Sequence, residues 1–106
     1  MDRLKKLLAF EKENPQDPFL IYGIALEYVM HDEHLAKKYF NTLLNEHPDY
    51  LPTYYKAAEF FNEQDESEKV KAIYVKGIEL AEKQQDQKAI EELKQAYKQF
   101  LEWEEL

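Results

Sequence analysis

The sequence predicts an all-α fold, a short α-solenoid of antiparallel helix hairpins with about six helices. Three observations carry this. Glycine occurs only at positions 23 and 77, while Ala, Leu, Glu, Lys and Gln, the strong helix formers, dominate the chain. Apolar residues recur at helical spacing in each segment between proline-rich or polar breaks. One pattern of apolar and aromatic residues also returns after about a third of the chain, the mark of a repeat architecture.

The elements follow in order. Residues 2–13 place Leu4, Leu7 and Leu8 on one helical face, with Asp2 as a cap. The stretch NPQDP ends that helix, because prolines cannot continue it. Asp17 followed by Pro18 is a cap with proline in the first turn, and it opens a helix through Met30 in which only Glu27 is charged. A helix apolar on nearly all sides is expected to be covered on nearly all sides. Leu35, Ala36, Tyr39, Phe40, Leu43 and Leu44 then form one face of a third helix, stopped by Pro48. A fourth helix is expected over residues 50–63. QDES is a turn in which Asp65 and Glu68 are spaced as a capping box. Val70, Ile73, Tyr74, Gly77, Ile78 and Ala81 mark the fifth helix. Asp86 caps the sixth, striped by Ala89, Ile90, Leu93, Ala96, Tyr97, Phe100 and Leu101.

The repeat can be read position by position. Ile24 and Ala57, Ala25 and Ala58, and Tyr28 and Phe61 stand 33 residues apart. Ala36 and Val70, Phe40 and Tyr74, and Leu44 and Ile78 stand 34 apart. The first hairpin is thus one residue shorter than the second between Tyr28 and Ala36, at a turn, where a deletion is cheapest. With two helices per unit, this period resembles the tetratricopeptide repeat. The first unit shows Ile21, Ile24, Ala25, Tyr28, Ala36, Phe40 and Pro48; the second shows Tyr54, Ala57, Ala58, Phe61, Val70 and Tyr74. Ile21 stands where the family usually has Trp, Val70 where it has a small residue, and Glu82 where the second unit would close with proline. The resemblance covers residues 17–84. It implies a right-handed solenoid, with residues 1–15 as an N-terminal cap helix, 17–50 and 51–84 as two repeats, and 85–106 as a C-terminal cap helix, all in one domain.

Composition bounds the function. The 106 residues carry 14 basic and 22 acidic side chains, a formal net charge of −8, with Arg3 the only arginine. Nucleic-acid binding needs a cationic footprint to neutralise phosphates, so no nucleic-acid partner is expected. There is no cysteine, which removes disulfides and thiol catalysis. The first fifteen residues lack a signal-peptide core, and no run reaches the ~18 apolar residues of a membrane span. The cytoplasm is the expected location, with no membrane partner. No nucleophile elbow, phosphate loop or metalloprotease motif occurs, so neither catalysis nor a cofactor is expected. His31, Asp32, Glu33 and His34 are donors of the metal-ligating kind, but they fall in a hairpin turn without a distant further ligand, and no metal is expected. His47 before Pro48 suits a helix end.

The remaining candidates follow from the resemblance. Tyr54 and Phe61 match the family's packing positions, and Phe60 is expected to be partly buried. Tyr55, Lys56, Glu59 and Asn62 fall on the face that in this family lines a concave peptide groove, and Phe19, Tyr22, Leu26 and Met30 are the equivalent line on the first unit. These eight residues are the candidate groove. The other reading is that terminal helices cover them as core. Some family members clamp a partner's terminal carboxylate with Lys and Asn at positions held here by Tyr22 and Leu26, which argues against that clamp. Trp103 is either an interaction residue or a packing residue of the last hairpin. The expected function is a protein-interaction module for a peptide or helix of a protein partner. The alternative is a structural assembly unit that self-associates, as in a homodimer, through the same apolar surface.

Overall fold

The computed structural model describes residues 2–106 as six α-helices, with no strand among the described residues. The chain divides into two units, the first running through Thr53 and the second spanning Tyr54–Leu106.

The first unit contains α1 (Asp2–Glu13), α2 (Pro18–Val29) and α3 (Glu33–Glu46), with α1 and α3 both packed on α2. Its core takes Leu4 from α1, Leu20, Ile21, Ile24 and Ala25 from α2, and Ala36, Phe40 and Leu43 from α3. Asp17 caps α2 as expected: its carboxylate accepts the Phe19 N–H at 3.0 Å, and Pro18 needs no donor partner in the first turn. Asp2 is instead the first helical residue of α1, where its charge faces the positive end of the helix dipole. A hydrogen bond of 3.1 Å from the Tyr39 hydroxyl to the Glu11 carboxylate ties α3 to α1. The Tyr39 ring also lies 5.8 Å from that of Tyr28 on α2. The expectation that α2 is covered on nearly all sides holds for its middle and fails at its ends. Phe19 and Met30 are 65% and 84% exposed, because each sits at a terminus of α2.

Helix α4 (Thr53–Glu63) starts three residues later than the sequence suggests. The segment after Pro48 makes turns first, with Tyr50 N–H bonded to the His47 carbonyl and Thr53 N–H to that of Tyr50. The second unit holds the rest of α4, α5 (Ser67–Lys83) and α6 (Gln87–Glu104). Its core is Tyr54, Ala57, Ala58, Phe60, Phe61, Val70, Ile73, Tyr74, Ala81, Leu93 and Phe100. Phe60 is buried, more fully than expected, with its ring edge-on to Phe61 at 5.1 Å. Gly77 is where α5 meets α4 closely: a Cβ there would lie 2.7 Å from Tyr54 Cβ. The Lys69 ammonium sits 4.0 Å from the centre of the Phe61 ring.

The turns explain the one-residue offset between hairpins. After α2, the Asp32 N–H returns to the Tyr28 carbonyl, and Asp32 then caps α3 by accepting the Leu35 N–H. After α4, the N–H that returns to the matching Phe61 carbonyl belongs to Glu66, one residue later. The extra residue is Asp65, in the left-handed region at φ 58°, with its N–H bonded to the Asn62 carbonyl. This is a Schellman closure. Asp65 therefore terminates α4 and does not cap α5, whose N-cap position is Glu66 with no side-chain cap bond. The α5–α6 turn repeats the device: Gln85 has φ 57°, and the Asp86 and Gln85 N–H groups return to Ala81 and Glu82. A left-handed residue does here what a closing proline would do. Asp86 then caps α6 through the Ala89 N–H, as expected.

Candidate functional site

In the first unit, the candidate residues of α2 fall on one stripe at i, i+3, i+7 and i+11. Tyr22 and Leu26 in the middle are half-buried, and Phe19 and Met30 at the ends are exposed. The Tyr22 ring meets Tyr50 edge-on, with centroids 5.9 Å apart. Burial, and secondarily the charge of Asp17, raise the Tyr50 hydroxyl above its ordinary pKa. Gly23 lies beside this stripe and faces the Leu7 methyls, which an added Cβ would meet at 3.4 Å.

In the second unit, Tyr55, Lys56, Glu59 and Asn62 are all exposed on α4. Lys56 and Glu59 form an ion pair at 3.6 Å. Tyr55, 38% exposed, forms one wall of a depression of about 360 Å³. Its other lining residues are Glu91, Glu92, Gln95, Ala96 and Gln99, all from α6. Tyr74 stacks on Tyr97 at 5.4 Å and lies 6.1 Å from Phe100, which fixes α6 against α5. Tyr74 is pushed above its ordinary pKa by burial first, then by Tyr55 and Glu59.

No α6 residue belongs to the eight-residue candidate groove read from sequence, where Ala96 counts only as part of the packing stripe. Helix α6 reads as a terminal cover because its buried stripe is strong. A second signal was available: Glu92, Ala96, Gln99 and Trp103 recur at i, i+4, i+7 and i+11, one face beside the buried one. Trp103 is 70% exposed, and α6 continues through it to Glu104. Ser67, at the start of α5, donates a hydrogen bond of 3.2 Å to Glu104 and holds that end of α6.

His31–His34 are all exposed, but only His31 and Asp32 lie in the turn, with Asp32 engaged as the α3 cap; Glu33 and His34 already form the first turn of α3. Among the described residues, no group of three or more His, Cys, Asp and Glu side chains is placed to hold a metal ion. No helix among them is long and apolar enough to cross a membrane. His47 ends α3, its N–H bonded to the Leu43 carbonyl at 2.9 Å.

No protein-family model and no curated protein matches the chain. Two solved structures of a tetratricopeptide repeat domain protein from Salinibacter ruber do. A solution NMR structure is 33% identical, with a TM-score of 0.76, over 81% of this chain and 88% of that one. A crystal structure is 32% identical, with a TM-score of 0.74, over 80% of this chain and 96% of that one. Identity at this level across most of both chains, joined to the hairpins and packing positions described above, makes the chain a member of the tetratricopeptide repeat family.

Proposed function

We propose that the chain is a protein-interaction module without catalytic chemistry, which docks a peptide or helix of a protein partner. Membership of a helical-repeat family supports the general reading. The observation that carries the finer one is the set of large side chains left in solvent on α2 and α4: Phe19 and Met30 in the first unit, Tyr55 in the second. Tyr22, Leu26, Lys56, Glu59 and Asn62 complete the proposed contact residues. Tyr and Phe are favoured where partners bind, since they bring large contact area with few torsions to freeze. A chain without cysteine suits a cytoplasmic setting.

The test is selection of binding peptides from a displayed library against the purified chain, followed by affinity measurement with Tyr55→Ala and Phe19→Ser. We expect at least one of the two substitutions to weaken the selected peptides about tenfold or more, as loss of an aromatic anchor does. Selected peptides indifferent to both would sink the reading. A second reading, self-association through the same side chains, is favoured by the exposure of Phe19 and Met30. Sedimentation velocity over a dilution series separates the two: a monomer throughout removes the second, and a dimer lost on Tyr22→Glu supports it.

A further inference from the structure

We infer that the face of α4 and α6 within the second unit receives a basic segment of a protein partner, with lysine or arginine next to an aliphatic side chain. This rests on the interaction reading above and adds the chemistry of the partner.

The depression beside Tyr55 combines two kinds of wall. Tyr55 and Ala96 are apolar, while Glu91 and Glu92 bring two carboxylates and Gln95 and Gln99 bring amides. None of these six residues is cationic. The nearby lysines that pair with carboxylates do so elsewhere: Lys56 with Glu59 at 3.6 Å, and Lys94 with Glu82 at 3.5 Å. Lys88 and Lys98 also lie on α6 but do not line the depression. Glu91 accepts a hydrogen bond of 3.3 Å from the Gln87 side-chain amide, a neutral donor.

An incoming segment must match this arrangement. An acidic or phosphorylated segment would bring like charge against Glu91 and Glu92 with no cation between, on a chain of net charge −8. The same charge opposes a second copy of the chain at this face. A lysine or arginine meets the carboxylates and can also lie over the Tyr55 ring, as Lys69 already lies over Phe61 in this unit. An aliphatic neighbour then covers Ala96 and reaches toward Trp103, which is exposed on the same stripe of α6 two turns on from Ala96.

The experiment uses the full chain and three labelled peptides of about twelve residues, built from Lys-Leu-Gly, Gln-Leu-Gly or Glu-Leu-Gly repeats, read by fluorescence anisotropy at low salt, where exposed charges are least screened. We expect the lysine peptide to bind about tenfold tighter than the glutamine peptide, and the glutamate peptide to bind weakest. Glu91→Gln with Glu92→Gln should erase most of that preference. Glu68→Gln with Glu79→Gln removes the same charge from the outer face of α5 and should change affinity less than about twofold, since screened distant charges contribute little. Tyr55→Ala should weaken all three peptides. Equal losses from the two glutamate pairs would reduce the attraction to net charge alone and overturn the inference. Tightest binding of the neutral or acidic peptide, still dependent on Tyr55, would overturn the partner chemistry while leaving the docking reading intact. Peptide binding indifferent to Tyr55→Ala would remove this face from the docking reading and the inference with it. A dimer of the chain alone that is lost on Glu91→Gln with Glu92→Gln would make a second copy the occupant and also overturn it.

Discussion

Three single residues show how local geometry decides what a substitution does. Gly23 and Gly77 both sit inside helices, where glycine costs about 1 kcal/mol relative to alanine. At Gly23 an added methyl would meet only the Leu7 side-chain methyls, at 3.4 Å. Gly23→Ala is therefore expected to stabilise the chain, by up to ~1 kcal/mol from helix propensity. At Gly77 the methyl would lie 2.7 Å from Tyr54 Cβ, an atom fixed to the α4 backbone. Gly77→Ala is expected to destabilise by about 1–3 kcal/mol through overpacking. Denaturant midpoints of the two variants should move in opposite directions, and a common direction would contradict these packing assignments. Gln85 holds a left-handed conformation at φ 57° that costs a residue with a Cβ about 1 kcal/mol. Gln85→Gly should raise the melting temperature, its relief of strain exceeding the added freedom of the unfolded chain.

At the scale of elements, α1 is joined to α3 by the Tyr39–Glu11 hydrogen bond, and this contact makes a pH prediction. Burial first, and then the Glu11 carboxylate, push the Tyr39 hydroxyl from 10.0 up to about 12. The folded form thus holds the proton more tightly than the unfolded one. The stability this contributes is fully present below pH 10 and is lost as pH rises from 10 toward about 12. Tyr39→Phe should flatten the fall in unfolding free energy over that window, measured by denaturant titration at several alkaline pH values. An unchanged slope would mean that Tyr39 is neither buried nor held by Glu11 in solution. The number and order of the six helices were legible in sequence, because each carries a periodic apolar face and Asp17 and Asp86 announce two of the starts. The Asp65 spacing misled. An acidic residue three before a glutamate reads as a capping box, while its real task is the left-handed turn that ends α4. The Tyr39–Glu11 bond joins residues 28 apart, and no local pattern reveals it.

At the scale of the whole molecule, the repeat was readable because packing positions recur in phase across two hairpins. Tyr54 and Phe61 are buried where the family pattern puts packing residues, and Tyr55 is exposed. The α6 wall beside Tyr55 was harder to see, since Glu91, Gln95 and Gln99 look like any solvated helix face until α4 is placed against them. That face is the proposed site of partner binding. Its most direct test is amide chemical-shift mapping of the isotope-labelled chain titrated with the lysine-leucine-glycine peptide. Shifts are expected to concentrate at Tyr55 on α4 and at Glu92, Ala96 and Trp103 on α6. Shifts concentrated instead around Ala72 and Val75, on the outer face of α5, would contradict it.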